Sequence, residues 1–210
     1  GEIDFDFSGN KIAIGQMDQN VSFATNNDNG YIWTFDWNGT DWIPSGSAYG
    51  RNTNEHMGGS VCLSDDGAIL VGGGNSSYSL LGPITNNVAG WINIFSEANG
   101  INGKTWTLLH TFEGKPPSDP AWSQSYLGDH NSIGLSSDAT VIGFAAWKYP
   151  IEKDGIGWYT GYAEAYRKTS YGWVQKGQTL YGEVGQTESW RYTRGFGLNS
   201  FVMSNDGNRM

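Results

Sequence analysis

The sequence predicts an all-β chain, a β-propeller of four-stranded antiparallel blades, with about three blades plus a partial one. Three observations carry this: a composition that disfavours helix, a strand–turn–strand signature that recurs, and an aromatic strand that follows each recurrence. The 210 residues include 31 Gly, 10 Trp, 11 Tyr and 9 Phe, and only 16% are charged. Gly, Asn, Ser, Thr and aromatics outnumber the good helix formers, which leaves short strands and many turns. The same numbers exclude disorder, which needs few aromatics and many charges. No run approaches the ~20 consecutive apolar residues of a membrane span.

The first two strands of each unit, A and B, bracket a Ser-x-Asp-Gly type of turn. One copy reads Ser60-Val61-Cys62-Leu63-Ser64-Asp65-Asp66-Gly67-Ala68-Ile69-Leu70-Val71. A second reads Ser132-Ile133-Gly134-Leu135-Ser136-Ser137-Asp138-Ala139-Thr140-Val141-Ile142, and a third, shorter, Ser200-Phe201-Val202-Met203-Ser204-Asn205-Asp206-Gly207. A degenerate copy, Phe5-Asp6-Phe7-Ser8-Gly9-Asn10-Lys11-Ile12, stands near the start. Asp and Gly suit these turns because they tolerate the positive φ of tight hairpins.

Strand C follows, opening on Gly and alternating aromatic residues: Gly30-Tyr31-Ile32-Trp33-Thr34-Phe35, Gly90-Trp91-Ile92-Asn93-Ile94-Phe95 and Gly161-Tyr162-Ala163-Glu164-Ala165-Tyr166. Alternation puts Tyr31, Trp33 and Phe35 on one face. Strand D carries Trp42, Trp106 or Trp173 and leads to Gly50, Gly114 or Gly182. Repeated aromatics at Tyr31, Trp33, Phe35, Trp91, Phe95, Trp106, Tyr162 and Trp173 are read as packing between blades. The landmarks recur roughly 70 residues apart, a period that signals radial repetition. They divide the chain into units of about 1–50, 51–114 and 115–182, with a partial unit over 183–210.

These motifs resemble FG-GAP-type repeats, the blades of integrin-α-like β-propellers and of many secreted or surface proteins of microbes. Phe196-Gly197 matches the first half of that motif, with Met57-Gly58 and Leu127-Gly128 as looser versions. Gly15-Gln16, Gly72-Gly73 and Phe144-Ala145 are weak versions of the second half. Integrin-type blades often carry an Asp-rich calcium loop. Here the nearest candidate, Thr25-Asn26-Asn27-Asp28-Asn29-Gly30, offers Thr, Asn and Asn at alternate positions, which is too little charge for the ion. No metal or other cofactor is therefore expected. A closed propeller needs four to eight blades, so the chain is expected to belong to a longer protein or to a ring completed by several copies.

Strand direction alone gathers the B–C and D–A connections at one end of the units. The B–C loops are long, at 16–29, 75–89 and 147–160, as are the D–A loops at 115–125 and 183–194. Loops on a rigid scaffold are where binding is usually found. Their aromatic and Arg side chains make a candidate ligand- or partner-binding rim: Trp122, Tyr126, Trp147, Tyr149, Trp158, Tyr159, Trp190, Arg191 and Tyr192.

Charge and motifs narrow the function. With 12 Lys and Arg against 21 Asp and Glu, the net charge is −9, which argues against a nucleic-acid partner. Nothing marks a membrane-inserted segment. One Cys and three His give no zinc cluster, and no triad or phosphate loop appears. The expectation is a non-catalytic extracellular, cell-surface or particle-surface module for protein interaction or assembly through neighbouring blades. A glycan-binding propeller is one alternative. The other is a propeller-fold glycoside hydrolase that would use rim acids such as Asp119, Glu152, Asp154 and Glu188.

Overall fold

A computed structural model describes residues 2–17, 29–50, 55–74, 88–101, 103–115, 124–129, 131–147, 149–153, 156–182 and 201–210. These residues are all-β, with no helix among them. Strands β1 (Ile3–Phe5), β2 (Lys11–Gln16), β3 (Tyr31–Trp37) and β4 (Trp42–Tyr49) form a four-stranded antiparallel meander, unit 1. Unit 2 repeats it with β5 (Ser60–Leu63), β6 (Ile69–Gly74), β7 (Val88–Gly100) and β8 (Gly103–Glu113). A short strand, β9 (Gln124–Leu127), precedes unit 3. That unit is formed by β10 (Ile133–Leu135), β11 (Val141–Ala146), β14 (Tyr162–Thr169), β15 (Gly172–Gln175) and β16 (Leu180–Tyr181).

The A–B turns obey one hydrogen-bond rule. Ser64 Oγ donates to Asp66 Oδ1 and accepts from Ile69 N–H, while Asp66 Oδ1 also takes Ala68 N–H. Ser136 with Asp138, and Ser204 with Asp206, repeat these bonds. Successive turns are tied together by their backbones: Phe7 N–H donates to Asp65 O, Asp65 N–H to Ser137 O, and Ser137 N–H to Asn205 O. At the opposite end each C–D pair is closed by one bond, from Gly50, Gly114 or Gly182 N–H to Gly30, Gly90 or Gly161 O.

Units stack face to face. Ile32, Ala48 and Ala13 of unit 1 pack with Val61, Leu63, Phe95 and Trp106 of unit 2. Trp106 Nε1 donates to the buried Thr34 hydroxyl at 3.0 Å. Ile92, Ile94 and Phe112 of unit 2 pack with Ile133, Phe144 and Tyr162 of unit 3. Phe201 and Met203 lie against Gly134 and Gly143, continuing the stack beyond unit 3.

Among the described residues no sheet closes on itself. Three expectations are corrected. Units 2 and 3 are not separate sheets, because β9 pairs parallel with β7 and antiparallel with β11, joining ten strands. The third B–C loop is not plain loop, since β12 (Pro150–Lys153) and β13 (Ile156–Tyr159) make a hairpin within it. Trp33, expected to be packed, is exposed, because it lies on the face of β3 that points away from unit 2. Of the partial fourth unit, only 201–210 lie among the described residues.

Candidate functional site

The described strand ends that lead into the B–C and D–A connections meet at one end of the units, and they are tightly constrained. Gly15 and Gly73 stand where the next unit's incoming loop crosses the end of strand B. A Cβ there would lie 2.2 Å from Gly58 O and 2.4 Å from Gly128 O. One residue before the Met57-Gly58 and Leu127-Gly128 pairs, His56 and Tyr126 both hold φ near +49°. Such backbone is costly for a side-chain-bearing residue and is kept only where its surroundings enforce it. Equivalent residues of successive units therefore adopt the same strained form on this rim.

Of the nine rim residues expected from the sequence, three have described side chains and lie in two small clusters. Tyr126 and Trp147 stack at 5.3 Å between ring centroids, 14° from parallel. Trp147 Nε1 donates to the buried Asp129 carboxylate at 3.2 Å. Burial, and then the Asp129 charge, push the Tyr126 phenol above its usual pKa. Tyr149 meets the buried Tyr162 edge-on at 5.1 Å and lies 6.2 Å from Tyr181. Trp158 and Tyr159 lie on β13, opposite Ile151 and Pro150. Trp122, Trp190, Arg191 and Tyr192 lie outside the described residues, as do residues 25–28 of the calcium candidate and the acids Asp119, Asp154 and Glu188.

Sequence reasoning missed the charged centre beside Tyr149. Lys115 Nζ lies 2.5 Å from the buried Glu164 carboxylate and 3.1 Å from Thr179 Oγ1, and it sits 4.8 Å over the Tyr162 ring. Glu164 also accepts from Thr179 Oγ1 at 2.5 Å and from the Tyr166 hydroxyl at 3.0 Å. Burial alone would raise the Glu164 pKa, but Lys115, Thr179 and Tyr166 outweigh it and the carboxylate stays ionised. Partial burial pulls the Lys115 pKa down, yet Glu164 and then Tyr181 carry it above its ordinary value. Tyr166, half-buried and donating to Glu164, is pushed up to about 12. The result is a permanent ammonium, one-third exposed, framed by Tyr162 and Tyr181.

Unit 2 builds a neutral-to-acidic version at the same strand position. Asn93 Nδ2 donates to the buried Glu55 carboxylate at 2.9 Å, and Thr111 Oγ1 donates to Asn93 Oδ1 at 2.7 Å. The third residue of strand C is thus a polar post in both units, met by a residue from the incoming D–A loop. Repeat alignment contained the signal, since Asn93 and Glu164 share a register position that apolar packing would have filled.

No family model matches the chain, and no curated protein matches it. Among solved structures it is similar to a putative 6-phosphogluconolactonase from Bacteroides uniformis ATCC 8492, with a TM-score of 0.50 and 12% identity over 86% of this chain. A second, a putative 6-phosphogluconolactonase from Bacteroides fragilis NCTC 9343, gives a TM-score of 0.49 and 12% identity over 87% of this chain. The chain spans about two fifths of each, 40% and 39%. At this identity the likeness to the first concerns the fold. It nevertheless overturns the expectation of a non-catalytic binding or structural module. That expectation rested on the repeat architecture, and the same architecture occurs in a structure that bears an enzyme's name.

Proposed function

We propose that the chain is a stretch of a β-propeller hydrolase, its four-stranded units being successive blades, and that it acts on a sugar-derived lactone at the rim of B–C and D–A connections. The substrate class comes from the name of the Bacteroides uniformis structure. What supports the reading in this chain is the Lys115–Glu164 pair, a fixed ammonium with an open side on that rim.

Opening a lactone adds water's oxygen to the carbonyl carbon as the water gives up a proton to solvent, puts negative charge on the carbonyl oxygen, and then breaks the bond to the ring oxygen, which takes up a proton from solvent. An ammonium already in place favours the charged intermediate over the neutral ester. Lys115 supplies that charge. Glu164, buried and surrounded by donors, acts as the positioning residue that keeps Lys115 protonated and aimed. The stacked Tyr126–Trp147 pair offers a flat apolar surface for a sugar ring.

The test is acid release from a panel of aldonolactones, with and without phosphate esters, followed in a pH-stat. Lys115→Met is expected to lower kcat/KM by ~10²-fold and, by leaving the buried Glu164 carboxylate without its cation, to lower the thermal transition as well, while Lys115→Arg keeps the transition and more of the rate. If the unaltered protein does not exceed spontaneous hydrolysis on any lactone, or if Lys115→Met leaves the rate unchanged, the reading is wrong.

A further inference from the structure

We propose that the cleft between units 2 and 3 is a binding site for a small carboxylate that carries a single apolar ring. It reaches the A–B and C–D turns of unit 3, at Ala139 and Thr169, and so lies at the end of the units opposite the rim. It is independent of the lactone-opening reading, which rests on residues of that rim. The neighbouring seam shows what the cleft departs from. Between units 1 and 2, Lys11 lies 5.8 Å over the Trp106 ring and reaches Asp36 and Glu97. Trp106 Nε1 donates to the Thr34 hydroxyl. Space is filled there, and the charges are paired.

Three changes at equivalent positions undo this between units 2 and 3. Ile69 stands where Lys11 does, Ile94 where Thr34 does, and Lys168 where Glu97 does. Cross-strand register fixes the last equivalence, since Glu97 pairs with Trp106 and Lys168 with Trp173. The shorter Ile69 leaves a cleft of about 250 Å³ beside Trp173. With Ile94 in place of a hydroxyl, the Trp173 indole N–H has no hydrogen-bond partner among the described residues. Lys168 gains no carboxylate either. No Asp or Glu is among the described residues that line the cleft, and none of the described residues pairs with the Lys168 ammonium.

These groups define the ligand. Ile69, Ile94 and Leu109 supply apolar wall, and the Trp173 and His110 rings stand 6.4 Å apart at 36°. Burial pulls the His110 pKa down, so its imidazole is neutral at pH 7 and contributes one N–H. A ring placed among these side chains loses apolar surface to water. A carboxylate on that ring answers the indole N–H and the ammonium together, both of which can only donate. A cationic ligand would meet Lys168, and an uncharged hydrocarbon would leave the indole N–H without an acceptor. The volume sits below the ~300 Å³ at which ligand clefts usually begin, which admits one ring and excludes fused systems.

Indole N–H resonances of the whole chain, followed by NMR, test this, with the Trp173 signal assigned by its loss in Trp173→Phe. Three probes divide the chemistry: phenylacetate carries ring and charge, acetate the charge alone, and benzyl alcohol the ring alone. Phenylacetate is expected to shift the Trp173 signal to saturation with a millimolar dissociation constant. Acetate and benzyl alcohol should bind at least ~10-fold more weakly. Lys168→Glu, at an exposed position where folding is unaffected, should weaken phenylacetate at least ~5-fold. A Trp173 signal that phenylacetate does not move overturns the proposal. An equal response to acetate or to benzyl alcohol also overturns it, as does a Lys168→Glu variant that binds phenylacetate as well as the unaltered chain.

Discussion

Asp6 and Ser8 exchange the roles that Ser64 and Asp66 play in the next unit. Asp6 accepts from Lys11 N–H at 2.8 Å where Ser64 accepts from Ile69 N–H, and the Ser8 hydroxyl donates to Asp6. The turn therefore needs one hydroxyl and one carboxylate, in either order. Asp66→Ala is expected to destabilise by about 1 kcal/mol, whereas Ser64→Asp combined with Asp66→Ser recovers most of that loss in urea unfolding. Acid acts on the same groups. Hydrogen bonds from Ser64 and Ala68 lower the Asp66 pKa, those from Thr140 and Ser136 lower that of Asp138, and Ser204 with Asn208 hold Asp206 near 2. Depressed folded-state values mean that the unfolded chain binds protons first. The contribution is complete above the ordinary carboxylate pKa and is lost as pH falls through the folded values. The urea midpoint should fall from about pH 4 downward, and a variant with Asp66→Asn and Asp138→Asn should show a flatter decline. Gly128 is hard to replace, with φ +78° and a Cβ position 2.3 Å from Trp91 O. Gly128→Ala should cost at least ~2 kcal/mol, and an unchanged unfolding midpoint would contradict the crossing geometry.

The strands themselves were legible because they repeat. Alternation in Gly90–Phe95 placed Ile92 and Ile94 on one side, and the Ser-x-Asp-Gly turns located every A–B hairpin to within a residue. Three features were not legible. β9 pairs with strands of two units, and its Gln124 and Ser125 carry no strand pattern. The 150–159 hairpin is hidden by Pro150, which is usually absent from strand interiors. The Lys115–Glu164 centre joins residues far apart in sequence, so composition could reveal neither partner. The ion cluster between units 1 and 2 was hidden in the same way. Lys11 reaches Asp36 at 2.8 Å and Glu97 at 2.5 Å, and Lys104 reaches Asp36 at 2.6 Å. Lys11 is buried, so Lys11→Met leaves two carboxylates sharing Lys104. A loss of roughly 1–3 kcal/mol is expected, smaller in high salt where the remaining repulsion is screened. At the corresponding place between units 2 and 3, Ile69 replaces Lys11. There a cleft of about 250 Å³ opens beside His110 and Trp173.

At the scale of the whole molecule, stability follows from which units are covered. A linear stack gains from each contact between neighbours, so a unit held on both faces opens less readily than one held on a single face. Unit 2 is so held: Leu70, Val71, Ile92 and Ile94 are fully buried between two cores. Unit 1 has one covered face, and its β3 and β4 leave Trp33 and Tyr49 in solvent. Hydrogen exchange should therefore be slowest in β6 and β7 and faster in β3 and β4, although both units have four strands and similar ladders. Intrinsic strand propensity alone would favour the opposite order, since Gly72, Gly73 and Gly74 weaken β6 while β3 is rich in aromatic and β-branched residues. The experiment thus separates neighbour contact from local preference.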